Sequence, residues 1–192
     1  MSLGMMTKLE AVNRLLAATG ETPVQTLEQA YIQKELAEST LDRVSRDIQS
    51  EGWWFNEDED VVATKDVNDQ VVLPSDTLKV FCRQDNGNLV QRGLSIYDRE
   101  NRTFVITDEV KIDLIIQLDW DTLPHSAREH ITAVAAFEFY KDFYGAESRN
   151  DALERSIVTS RTNLQKDNME ARDTNMFSGS HMNNIAFSNR RG

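Results

Sequence analysis

The chain has 192 residues, 40% of them apolar, with 32 acidic against 21 basic side chains and a net charge of −11. That length suits one compact domain or one with appendages, and a domain of this size buries roughly 70% of the surface its unfolded chain exposes. Stable nucleic-acid binding is excluded, because gripping phosphates needs a basic stripe; with no apolar run of about 20 residues, so is a spanning helix.

No basic segment followed by an apolar stretch opens the chain, so no secretory signal is expected, and residues 1–5 read as a cloning remnant outside the fold. Thr7-Lys-Leu-Glu10 is a capping box in which hydroxyl and carboxylate satisfy free amides at a helix start. Leu9, Val12, Leu15 and Leu16 then form one apolar face, and Gly20 with Pro23 closes the helix. A second box, Thr26-Leu-Glu-Gln29, opens a longer helix. There Leu27, Ala30, Ala37, Leu41, Val44 and Ile48 follow a three-four spacing, broken once by Lys34. Running to Gly52, this helix has about 25 residues and a length of about 38 Å. Its narrow seam leaves much of its surface for neighbours.

From Trp53 the period changes to two. Val71–Leu73, Leu78–Cys82, Leu94–Tyr97, Thr103–Ile106 and Val110–Leu118 are short strand-like runs. Asn86-Gly87 and Glu100-Asn101 fall between runs as turns, the first favoured because it tolerates positive φ. These runs predict an antiparallel sheet of about five strands between helices. Pro124 suits the first turn of a third helix. Ile131 to Tyr144 is apolar on more than one side, so that helix is central, and Gly145 ends it. Ser148-Arg-Asn-Asp151 can cap a fourth helix carrying Leu153, Ile157 and Leu164.

The fold expected is therefore α+β: an antiparallel bundle of about four helices (residues 6–52 and 120–172) with an inserted antiparallel β domain (53–119). A flexible C-terminal tail (173–192), rich in Asn, Ser and Gly, follows. Large apolar groups in it, Phe177, Ile185 and Phe187, can anchor on a partner and fold there. With Lys34, Ala37 and Leu41 on the long helix they make up the candidate interface residues.

Little in the sequence points to catalysis. Cys82 is the only cysteine, so no disulfide closes within the chain and no thiolate cluster holds a metal, which fits a reducing cytosol. His125 and His130 are five apart, on different helical faces, unlike a zinc helix. No Gly-x-Ser-x-Gly elbow frames a serine, and the glycine-rich phosphate-binding patterns are absent. Counting residues alone leaves a Ser-His-Asp triad open. Glu57-Asp-Glu-Asp60 lacks the alternating spacing and central glycine of a calcium loop and reads as a solvated acidic loop. Trp53-Trp54-Phe55 reads as a seal between helices and sheet, with ligand stacking as the alternative. The expectation is a non-enzyme without cofactor or metal.

Several stretches in order resemble a known family. They are Ala11-Val-Asn-Arg-Leu-Leu-Ala-Ala-Thr-Gly-Glu-Thr-Pro-Val24 with Thr26-Leu-Glu28, and Ile48-Gln-Ser-Glu-Gly-Trp-Trp-Phe-Asn56. Leu73-Pro-Ser-Asp76, Tyr97-Asp-Arg99, and the run from Trp120-Asp-Thr-Leu-Pro124 through Arg128 to Phe143-Tyr-Gly145 follow. The set, covering about residues 6–172, resembles tail tubular protein A of short-tailed bacteriophages, the head-to-tail adaptor or gatekeeper. The resemblance implies a helical bundle with an inserted β domain. It further implies a subunit of a dodecameric virion ring between the portal protein and the tail nozzle protein (tail tubular protein B). The role implied is mechanical: extending the DNA channel, retaining packaged DNA, contacting it transiently as it passes, and offering sites for tail fibres. Such a protein is made in the host bacterial cytoplasm and resides in the virion tail. The alternatives are a tail-associated hydrolase of host-envelope glycans, and a regulatory or anti-host protein.

Overall fold

The computed structural model describes residues 4–82, 87–145 and 150–178, with side chains as far as residue 173. The first helix, α1 (Lys8–Ala18), starts as its sequence dictates. The Thr7 hydroxyl accepts from the Glu10 amide at 3.2 Å, and the Glu10 carboxylate accepts from the Thr7 amide at 2.8 Å. Ala11, Val12, Leu15 and Leu16 are buried on one face.

The second helix, α2, spans Ile32–Gln49, 18 residues and about 27 Å, not the expected run from Thr26. Residues 26–31 form a turn instead, and tertiary contacts explain why. The Tyr31 phenol donates to Glu21, its ring packs on the helical core, and its backbone is extended (φ −154°, ψ 118°). An extended residue cannot sit inside a helix. The Lys34 ammonium donates to the Leu27 carbonyl at 2.8 Å, fixing the turn from the other side. The Thr26 box thus caps nothing. Hydrogen bonds from its own amide and from the Thr26 hydroxyl hold the Glu28 carboxyl below the usual carboxylate range.

Between α2 and the third helix lie five strands: β1 (Glu57–Val62), β2 (Thr77–Cys82), β3 (Leu89–Arg92), β4 (Ser95–Asp98) and β5 (Lys111–Ile116). They form two antiparallel sheets rather than one, of order β1-β5-β2 and β3-β4. The acidic run read as a loop is strand β1, pairing Glu57 with Ile115 and Asp58 with Leu114. An edge strand keeps its carboxylates in water, so charge alone did not forbid the pairing. A bulge between Asp58 and Val61 lets Asp60 adopt φ 55° and donate its amide to Asp113 Oδ1 at 3.0 Å. The segments 71–73 and 103–106 make isolated bridges, not strands, although Val71, Leu73 and Ile106 are buried. Gly93, at φ 61°, opens the two-residue turn joining β3 to β4. The Asn86-Gly87 turn falls partly outside the described residues.

A 3₁₀ turn (Trp120–Thr122) leads into α3 (His125–Tyr144), with Pro124 at its start. Helix α3 packs against α1, α2 and α4. Its buried side is built from Ala127, Ala133, Ala135 and Ala136 around Ile131 and Phe139, small residues that bring three helices close. The last helix, α4 (Asp151–Ser178), has 28 residues and a length of about 42 Å. It starts under the Asn150 side chain, which accepts from the Leu153 amide at 3.2 Å. The Ser148 part of the expected cap and the tail beyond residue 178 lie outside the described residues, while the helix itself continues past 172.

Buried side chains form two clusters. The helical one contains Leu15, Leu16, Leu41, Trp53, Ile131 and Leu164, the sheet one Val71, Leu73, Ile96, Ile112 and Leu114. Each such aliphatic group contributes about 1.5–3 kcal/mol by leaving water. A buried polar lattice joins α2 to β5. Asn56 Nδ2 donates to the Gln49 carbonyl at 2.9 Å and the Ile116 carbonyl at 2.8 Å, while Asn56 Oδ1 accepts from the Trp53 amide at 2.9 Å. Gln49 Oε1 accepts from the Leu118 amide at 2.7 Å, and Gln49 Nε2 donates to Ser45 Oγ at 3.0 Å. Gly52, at φ 83°, lies here because a Cβ would stand 2.7 Å from Ile115 Cδ1.

Candidate assembly surfaces

The seam of α2 faces inward. Lys34, Ala37 and Leu41 are all buried within the chain's own core. The Lys34 charge is met by the Leu27 carbonyl and by Glu38 at 3.6 Å. The outward stripe of the same helix carries two apolar side chains one turn apart, Ile32 (73% exposed) and Leu36 (57%). The sequence held this signal, since residues 32 and 36 are offset from the seam at 34, 37 and 41 and share a face of their own. Of the tail candidates, Ile185 and Phe187 lie outside the described residues, as does the side chain of Phe177.

Helix α4 gives its own core little. Ser160 and Leu164 are its buried residues up to position 173, while Val158 (67% exposed) and Met169 (60%) face water. At the end of α3, Phe143 and Tyr144 are half exposed in edge contact at 5.2 Å, and the Tyr144 hydroxyl donates to the Thr19 carbonyl at 3.0 Å. This pins an aromatic knob against the end of α1.

Trp53-Trp54-Phe55, expected to seal helices against sheet, packs on the helical cluster. Trp53 is buried, its indole donates to the Ile48 carbonyl at 2.8 Å, and the Arg161 guanidinium lies 4.8 Å above its ring. The Trp54 amide donates to Asn168 Oδ1 at 3.1 Å, tying this run to α4. Arg128, which the sequence marked only as part of the resemblance and gave no role, is a structural tie. It is buried and donates Nε to the Leu123 carbonyl (2.9 Å), Nη1 to the Met6 carbonyl (2.8 Å) and Nη2 to the Asp121 carbonyl (2.6 Å). Trp120 Nε1 reaches the same Met6 carbonyl at 3.1 Å. Together they bind the chain's beginning to α3 and the 3₁₀ turn.

Among the described residues, the arrangement with a catalytic look is a serine–histidine pair. His130 Nδ1 lies 3.0 Å from Ser160 Oγ; the histidine is buried, while the serine lines an open cleft of about 600 Å³ between α3 and α4 together with His125, Glu129 and Arg155. The serine hydroxyl has one proton and also lies 3.1 Å from the Ile157 carbonyl, a second acceptor for it. With the hydroxyl proton on that carbonyl, the imidazole nitrogen donates to Oγ; the ring tautomer sets which of the two is the donor. Among the described residues no group of three His, Cys, Asp or Glu side chains is placed to hold a metal.

Burial, with the Arg161 charge adding to it, pushes the His130 imidazole below its ordinary value of 6.5. The folded state therefore keeps the ring neutral where the unfolded chain would protonate it. Stability from this group is complete above pH 6.5 and falls as pH drops from there toward the lowered folded value. Urea unfolding between pH 7 and 5 should show that slope, and His130→Gln should flatten it; an equal slope in both would refute the assignment.

A family model described as tail tubular protein matches residues 9–174. Among relatives, tail tubular protein A of Klebsiella phage KP34 is 27% identical over 143 residues, which cover 74% of this chain and 76% of that protein.

Proposed function

The chain belongs to the tail tubular protein family, structural proteins of the bacteriophage tail, and from that premise we propose that it is the head-to-tail adaptor: a ring subunit seated between portal and tail nozzle. In this role it extends the DNA channel and helps retain packaged DNA, with its copies, the portal protein and the nozzle protein as partners. Tail fibres attach at its periphery. The net charge of −11 suits a conduit wall, since carboxylates beside DNA repel it and keep it from sticking.

The observation that carries this reading is the set of apolar side chains left outside both cores on two different helices, Ile32 and Leu36 on α2 and Val158 and Met169 on α4. Rings close through heterologous contacts, in which one face of a subunit meets a different face of the next. Two unlike apolar stripes on one subunit are what such a contact asks for. A standard interface buries about 1,600 Å² in total, about 800 Å² from each partner, so two neighbours would cover roughly an eighth of the 12,729 Å² of this surface.

Mixing the protein with its purified portal rings and imaging the particles tests the role directly. The wild-type chain is expected to add as a ring below the portal. Leu36→Asp should fold with an unchanged melting curve yet lose at least about tenfold in ring occupancy, because a carboxylate would be desolvated in the contact. A chain that ignores portal rings overturns the role. Normal occupancy by Leu36→Asp removes α2 from the contact.

A further inference from the structure

Most arginines of the helices already hold a partner. Arg14, Arg43, Arg161 and Arg172 each pair with a carboxylate, and buried Arg128 is taken up by carbonyls. The hairpin β3-β4 and the turn after it differ. Arg92, Arg99 and Arg102 are exposed there, and among the described residues none of the three forms an ion pair. In a chain with 32 acidic side chains against 21 basic, guanidinium groups thus face outward with their charge unmet.

Strand register shows what surrounds Arg92. Across the hairpin Arg92 pairs with Ser95 and Val90 with Tyr97, so these four side chains share one face. Ile96 lies on the other face and is wholly buried, so the first face looks out to water. The Arg92 guanidinium lies 3.6 Å from the centre of the Tyr97 ring, and the Phe104 ring meets Tyr97 edge-on at 4.9 Å. Phe104 is 37% exposed and Leu94, in the hairpin turn, 44%. An arginine stacked on tyrosine among apolar groups is the composition of an interface centre. Nucleic acid fits it poorly, because Arg92 already covers a face of the Tyr97 ring on which a base would stack.

What does fit is a protein surface with carboxylates beside an aliphatic group, since the guanidinium fork matches the two oxygens of a carboxylate. Strand β1 is such a surface. Asp58 and Asp60 are exposed without an ion pair among the described residues, and Val62 is half exposed beside them. The strand order runs β1, β5, β2, β3, β4 and then residues 70–73, where Val71 bridges back to Lys65 just past β1. Strand β3 is therefore three places from β1 in either direction, as far around the sheet unit as the order allows. Two matched surfaces so separated do not meet within one chain.

We propose that they meet between copies: the Arg92–Tyr97–Phe104 face of one subunit docks on Asp58, Asp60 and Val62 of the next. The second copy as occupant rests on the ring reading above, and the charged contact adds to the apolar helix stripes. One face meeting a different face is the kind of contact that closes a ring.

Paired charge reversal in the full-length protein tests this, read by sedimentation of the free chain and by ring occupancy on purified portal. Arg92→Glu is expected to keep the wild-type melting curve, since Arg92 lies outside both buried clusters, and to weaken association at least about tenfold. Asp58→Arg/Asp60→Arg should weaken it equally. Mixing these two variants should restore association, because each then offers the other two matched surfaces; all three changes in one chain should do the same. Unchanged association in either variant, or loss without rescue, overturns the proposal. Rescue of Arg92→Glu by Glu154→Arg in place of the β1 changes would move the contact to α4 and overturns it too. So does Arg92-dependent retention of duplex DNA, which would make the face a nucleic-acid surface. Full rings of Arg92→Glu on portal would leave the adaptor role standing without this contact. Arg92-dependent association of a chain that ignores portal would leave the contact standing without the role, and a chain that does neither sinks both.

Discussion

Replacing Arg128 with alanine is expected to destabilise the fold by about 3–5 kcal/mol, enough to lower the melting temperature by roughly 10 °C in a chain of this size. The guanidinium is buried, its hydrogen bonds go to main-chain oxygens, and it satisfies three carbonyls from two separate segments, Met6 before α1 and Asp121 and Leu123 around the 3₁₀ turn. Alanine leaves the last two of these carbonyls without their donor and opens a cavity beside them. Met6 keeps the Trp120 indole. Arg128→Met separates the causes, since it fills volume but donates nothing. If donation is what matters, methionine should cost nearly as much as alanine in urea unfolding. Lysine, one ammonium on a flexible stem, should fall between, because it cannot span the fork. A methionine variant within about 1 kcal/mol of wild type would show that the site needs bulk only.

Asn56→Ala should cost a comparable 3–4 kcal/mol for a different reason. The amide group of Asn56 serves three buried backbone groups, the Gln49 and Ile116 carbonyls and the Trp53 amide, and each orphaned group costs about 1–3 kcal/mol. Asn56→Asp keeps the acceptor but removes both donations and buries a charge, so it should be the worse variant at neutral pH. Gln49→Ala in a double-mutant cycle with Asn56→Ala should show coupling of about 1–2 kcal/mol, because both side chains tie the end of α2 to β5. A cost near zero for Asn56→Ala would mean that packing of Trp53 alone fixes the angle between helices and sheet.

What could be read in advance was what is local. Helix α1 followed from Thr7, Glu10 and a single apolar face, all within ten consecutive residues from Thr7 to Leu16. Helix α3 followed from Pro124, Gly145 and its many-sided apolarity. The start of α2 did not, because Tyr31 answers to Glu21 and the core, contacts that no local pattern reveals. Strand β1 hid beneath four carboxylates, since an edge strand may be polar on every face it shows to water. Among the candidate surfaces, Lys34, Ala37 and Leu41 were named from the continuity of a seam. A seam marks what is covered, and here the chain's own α1 and α3 cover it, leaving Ile32 and Leu36 outside. Arg128, Gln49 and Asn56 could not be found by motif, because their partners are mostly main-chain groups whose identity leaves no trace in side-chain spacing.

The Arg128–Met6 bond also sets an order of events during synthesis. It joins positions 122 apart, and the helical core takes in Leu164, whereas the sheet cluster closes within positions 61–116. On a ribosome adding about 5–20 residues per second, α1 waits roughly 7–30 s for the last side of its core to be made. The strands meanwhile have all their partners. The sheet unit therefore matures first, and the nascent helices α1 and α2 expose Leu15, Leu16 and Leu41 until the final third of the chain arrives. Expression at lower temperature or with a holdase chaperone should accordingly raise soluble yield more than any change made within the strands.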